Sequence, residues 1–148
     1  HYIHGKKDLL YQIMRFALET LNENVVIPAL AEPDAMRRLE LIIKNHSLII
    51  VHGGSQMTIL LDEVTGLTEE QQDEVQREKF FYYDFLRRTL KELKNEGKLN
   101  NINPSIAAHN LLGMILHLSR WFRSDGKKSD AEIISEILTI VRSGFVKD

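Results

Sequence analysis

The chain has 148 residues, 43 % of them apolar and 27 % charged, with a formal net charge of −2. That length and mix suit one ordinary globular domain with a single sizeable core, and the slight negative charge argues against this piece being a nucleic-acid-binding surface on its own. It contains no cysteine, which excludes disulfides and thiolate metal sites and fits a reducing cytoplasm, and no window approaches the ~18 unbroken apolar residues of a membrane helix.

The opening HYIHGKKDLL is not a signal peptide, because an amphipathic helix follows where an apolar stretch should be. With no initiator Met, the chain reads as cut from something longer. From Lys6 to about Glu23, the residues Leu10, Ile13, Met14, Ala17 and Leu21 recur at helical spacing, and Asp8 suits the positive helix start. Pro28 and Pro33 break that pattern. Asp34 caps a second helix with a stripe of Ala35, Leu39, Ile42, Ile43, His46, Ile49 and Ile50, closed by Gly53–Gly54. Ser55 opens a short, mostly apolar helix to Leu61. Thr68 and Gln71 form a capping box that starts the longest helix. It runs to about Glu96, with Val75, Tyr82, Leu86, Leu90 and Leu93 on one stripe, Phe81 and Phe85 beside it, and Gly97 as C-cap.

Asn103-Pro104 opens the next helix, and from there to Arg123 the run is apolar around most of its circumference, so it must be covered on more than one side. A polar turn, Ser124–Lys128, precedes a last helix from Ser129 or Asp130 to Ser143. Its Ile133, Ile134, Ile137, Leu138, Ile140 and Val141 make a face too wide for one neighbour. The expected fold is therefore all-α, a bundle of about six helices with no β-alternation. Two such apolar helices predict a two-fold dimer in which the last two helices of each subunit form a four-helix bundle. Leu112, Ile115, Phe122, Ile134, Ile137 and Val141 are the expected seam, and Gly113, Ala107 and Ala108 would allow close approach of axes. A monomeric bundle with these helices at its centre is the plainer alternative.

Taken in order, these stretches resemble the TetR (tetracycline repressor) family. HYIHGKKDLL is similar to the close of a TetR-type helix-turn-helix head, at His1, Tyr2, Ile3, Lys6, Asp8, Leu9 and Leu10. LKELKNEGKL, INPSIAAHNLLGMI, the Arg120-Trp121-Phe122-Arg123 motif and Gly144-Phe145 resemble the regulatory half of such proteins. The resemblance implies that residues 1–10 are the remnant of the head and the start of a connecting helix, and that 11–148 are the ligand-binding and dimerisation domain. It also implies an effector that swings the connecting helix and changes the spacing of two operator-bound heads, without cofactor or membrane. Tyr2 and Lys6 match positions that contact DNA phosphates in the family; from the residues alone, Lys6 and Lys7 read as a solvated helix start.

Residues on inward stripes that are aromatic, polar or flexible are the candidate pocket: Met14, His46, Met57, Phe81, Phe85, Asn110, Met114 and His117. Phe81 and Phe85 read as core at least as well, the methionines as gap-fillers, and His46 as either a satisfied core histidine or a polar anchor. Asn110, Met114, His117 and Trp121 share one helix face. The resemblance further implies acyl-CoA sensing, in which Arg120 and Arg123 flanking Trp121 hold a CoA phosphate and its adenine; a solvated basic helix end is the competing reading. The six histidines lack the i, i+4 spacing of a helical metal pair, so a zinc or nickel site would have to be assembled between helices. No phosphate-binding loop, nucleophile elbow, HExxH or Glu-x-x-His motif supports an enzyme. An all-helical protein–protein interaction module without a small ligand is the alternative function.

Overall fold

A computed structural model describes residues 5–54 and 62–147; the expected short helix from Ser55 to Leu61 lies outside them. Helix α1 spans Gly5–Leu21 and runs into a π-helical turn, Asn22–Val26, followed by the short α2, Ile27–Leu30. Pro28 therefore sits within a continuous helical run, just after the π-helical turn, instead of ending it.

The Asp34 carboxylate accepts the Arg37 N–H at 2.9 Å and so caps α3, Ala35–Ile49. A second π-helical turn, Ile50–Gly54, ends in a kink at His52 and at Gly53, whose φ of 108° suits only glycine. After a 3₁₀ turn at Val64–Gly66, Thr68 and Gln71 close the expected capping box, through bonds of 3.1 and 3.0 Å, over α4, Glu69–Asn95. Asn103 caps α5, Pro104–Trp121, by accepting the Ser105 and Ile106 N–H groups. Ser129 and Glu132 form a second capping box at α6, Asp130–Gly144. An isolated antiparallel bridge, Leu99 to Val146, clamps the α4–α5 loop to the chain end. There the Asn100 N–H donates to the Phe145 carbonyl at 2.9 Å and the Lys147 N–H to the Lys98 carbonyl at 2.8 Å. No local pattern announced this pairing, because its halves are 47 residues apart in sequence.

The main core lies where α3 meets α4, α5 and α6. Leu39, Ile42 and Ile43 of α3, Ile50 of the turn that follows it and Leu86, Leu90 and Leu93 of α4 are wholly enclosed there, together with Leu111, Ile115 and Leu118 of α5. A smaller, separate cluster joins Met14 and Leu18 of α1 to Leu67 and to Val75 at the start of α4. The two wide apolar helices are covered in large part by their own chain. Outside that cover stand Ile106, Leu116 and Trp121 on α5 and Ile140 on α6. Among the described residues no helix is long and apolar enough to cross a membrane.

Candidate functional site

A cavity of about 390 Å³ opens between α1, α3, α4 and α5. Leu18 and Leu21 of α1 face Leu112 and Leu116 of α5 across it. Its polar wall is made by His46 of α3 and Tyr82 of α4, whose Nδ1 and Oη lie 2.7 Å apart. In one tautomer the hydroxyl donates to Nδ1; in the other Nδ1–H donates to the phenol oxygen. Burial pushes the imidazole down to about 4 and the phenol well above the usual tyrosine range, so both are neutral at pH 7.

The charged groups of the lining are Lys79, Arg120 and the Asp62 carboxylate. Lys79 lies three residues before Tyr82 on α4, and Arg120 sits in the last turn of α5, next to His117 at the cavity. Burial holds the Lys79 ammonium below the usual lysine range, opposed by the exposed Asp62 carboxylate 3.9 Å away. A neutral hydrogen-bonding pair, four leucines and two basic groups make a chamber suited to a molecule with an apolar body and an anionic end.

The structure brings only part of the expected set into this chamber: His46, His117 and Arg120, with Leu112, expected at the dimer seam, as a wall residue. Met14 is sealed in the satellite cluster and Phe85 in the main core; Met114 is half-buried against that core. Phe81, 67 % exposed, lines a different cleft of about 340 Å³ beside Arg15 and Glu78. Asn110 is exposed, and its amide donates to the Ile106 carbonyl of its own helix at 2.8 Å. Lys6 is exposed at the start of α1, while Met57 and Tyr2 lie outside the described residues.

Arg120 and Arg123, expected to hold a ligand on either side of Trp121, border different concavities. α5 ends at Trp121 and the backbone turns extended at Phe122, which sends Arg123 away from the helical phase. Trp121 and Arg123 border another concavity with Lys127, Lys128 and Ile140, whereas Arg120 faces the first. Of the expected seam, Ile115, Ile134, Ile137 and Val141 are buried within the subunit, and Phe122 packs against its core. Sequence reasoning missed Leu18, Leu21, Lys79 and Tyr82 as lining residues. The i, i+3 step from Lys79 to Tyr82 was the available signal. Among the described residues, no three His, Asp or Glu side chains gather as a metal site would require.

Residues 32–145 match the family described as tetracyclin repressor-like, C-terminal domain. No curated protein matches the sequence. Among solved structures, AibR in complex with isovaleryl coenzyme A and operator DNA is similar, with a TM-score of 0.86 and 27 % identity over 95 % of this chain and 76 % of that one. A TetR/AcrR-family transcriptional regulator from Thermobifida fusca YX-ER1 superposes with a TM-score of 0.84 at 22 % identity, covering 97 % and 76 % of the two chains. The ketosteroid transcriptional regulator KstR2 of Mycobacterium tuberculosis shares the fold, with a TM-score of 0.85 at 13 % identity over 95 % and 73 %.

Proposed function

The chain belongs to the tetracycline repressor-like family of C-terminal regulatory domains, and from that premise we propose that it is the sensing and dimerising part of a ligand-responsive repressor working in the cytoplasm. The chamber between α1 and α5 carries this reading, because a ligand held there would lie against the helix that leads to the N-terminal end of the chain. Residues 1–10 are the end of a helix-turn-helix head and the start of the connecting helix, with Tyr2 and Lys6 on operator phosphates; residues 11–148 sense and dimerise. A ligand that fits only one position of α1 shifts the population toward it. Two heads fit successive major grooves only when about 34–36 Å apart, so the shift releases or retains DNA.

The effector in this reading is an acyl-CoA or a similar hydrophobic molecule with an anionic end. The apolar part lies among Leu18, Leu21, Leu112 and Leu116, a carbonyl meets the His46–Tyr82 pair, and Lys79 and Arg120 meet the negative charge. AibR, crystallised with isovaleryl coenzyme A, supports that class. The partner copy sits on the exposed apolar stripe of Ile106 and Trp121 on α5 and Ile140 on α6.

Calorimetric titration with isovaleryl-CoA, longer acyl-CoAs and free fatty acids tests the reading. Saturable binding of one molecule per subunit, with a raised melting temperature, is expected. No heat and no thermal shift with any of them would sink the sensor reading and leave a helical interaction module, to which the exposed stripe alone would then belong.

A further inference from the structure

One stripe of α4 carries Glu74, Glu78 and Tyr82 at successive spacings of four. The upper two meet α1 and the third is the chamber wall. On α1, the Tyr11 hydroxyl donates to Glu74 and the Arg15 guanidinium to Glu78. Glu74 Oε1 lies 3.4 Å from the same guanidinium, and Glu19, one turn along α1, lies 3.5 Å from it. The hydrogen bond to Glu74, reinforced by burial, pushes the Tyr11 phenol up to about 12. Against the burial that would lower it, Glu78 and Glu74 hold Arg15 above its ordinary value. Tyr11 therefore stays a donor and Arg15 a cation at any physiological pH.

The apolar hold on α1 is of a different kind. Met14 and Leu18 pack with Leu67 and Val75 in the satellite cluster, and only Leu21, the last residue of α1, packs against the main core. Leu10 presses on the 3₁₀ turn, where a Cβ on Gly66 would come within 3.0 Å of its Cδ2. At its far end α1 passes into the π-helical turn Asn22–Val26, whose wider hydrogen-bond ladder interrupts the α repeat. Apolar packing is non-directional, so a helix seated on a small cluster and joined through a wide turn needs oriented contacts to define its angle. Tyr11 and Arg15 supply them, one turn apart and next to the leucines that wall the chamber.

We propose that Arg15 is a positioning residue, and that Tyr11, Arg15, Glu74 and Glu78 form a polar latch that sets the angle of α1 against α4. The latch thereby fixes the direction in which any segment preceding Gly5 is carried. That this direction matters for operator spacing rests on the regulator reading above; the latch itself does not.

The chain has no cysteine, so two spin labels can be placed cleanly. Lys7→Cys with Gln76→Cys reports α1 against α4, and Lys44→Cys with Lys91→Cys reports α3 against α4 as a control, all four positions being exposed. Labelled chain is diluted into unlabelled chain, and pulsed electron resonance is recorded without effector or DNA. In Arg15→Gln the α1–α4 distance distribution should shift or roughly double in width while the control pair stays unchanged; Glu78→Gln should do the same and serves if the first variant fails to fold. An unchanged distribution, or a control pair that moves as much as the α1 pair, would overturn the latch. Because no effector is present, failure to find one in the titration leaves this result standing.

Discussion

His46 Nδ1 and Tyr82 Oη face each other at 2.7 Å, with ring centroids 5.2 Å apart and planes 73° to one another, where α3 crosses α4. The pair is enclosed and neutral, and it belongs to the core and to the chamber wall at once. Much of the protein's chemistry that can be measured runs through this contact.

Stability should fall as the solution is acidified through the His46 window. The folded-state value, about 4, lies below the ordinary 6.5. The unfolded chain therefore binds the proton first, and the contribution is whole above pH 6.5, declines to pH 4 and is flat below. The decline is worth about 3 kcal/mol. His46→Gln, which keeps a polar partner for Tyr82 without titrating, should lack that decline, so the wild-type-minus-mutant difference in urea unfolding free energy should fall by about 3 kcal/mol between pH 6.5 and pH 4. Parallel curves for the two proteins would refute the assignment.

Ser47 is wholly buried beside this pair in sequence, and its hydroxyl has no hydrogen-bond partner among the described residues. A buried, unsatisfied hydroxyl costs about 1–3 kcal/mol. Ser47→Ala should therefore raise stability by about 1 kcal/mol, read as a higher urea midpoint at unchanged slope. A lower midpoint would mean the hydroxyl is satisfied in solution.

Arg120 and Arg123 are close in sequence but face different concavities. If an acyl-CoA occupies the chamber, Arg120→Ala should weaken it roughly tenfold, about 1.4 kcal/mol. Arg123→Ala should leave the affinity within about twofold. Equal losses in the two variants would favour a clamp around Trp121 instead.

Ile115 and Ile140 separate folding from association. Ile115→Ala removes enclosed core volume and should cost about 2–5 kcal/mol of stability. Ile140, more than half exposed, should tolerate Asp in the folded subunit and yet shift sedimentation from dimer to monomer. A dimer unaffected by Ile140→Asp together with Trp121→Ala would remove this face as the seam.

What could be read from residue order alone is what is decided within a few residues. The Asp34, Thr68–Gln71 and Asn103 caps, the glycine stop at Gly97 and the 3.6-residue periods of α1, α3 and α4 need only their immediate neighbours, and so does the all-helical class. The excess of apolar surface on α5 and α6 was legible as an amount but not as a direction. Leu112 and Ile115 are equally apolar, and only the positions of α1 and α3 make one a chamber wall and the other core. Pro28 looked like a break because the π-helical turn that accommodates it has no local signature. Tertiary packing alone joined His46 to Tyr82, parted Arg120 from Arg123 and set Tyr11 and Arg15 against Glu74 and Glu78. Each of these depends on where a second helix lies, and that is settled by how all the apolar faces close together, not by any one stretch of chain.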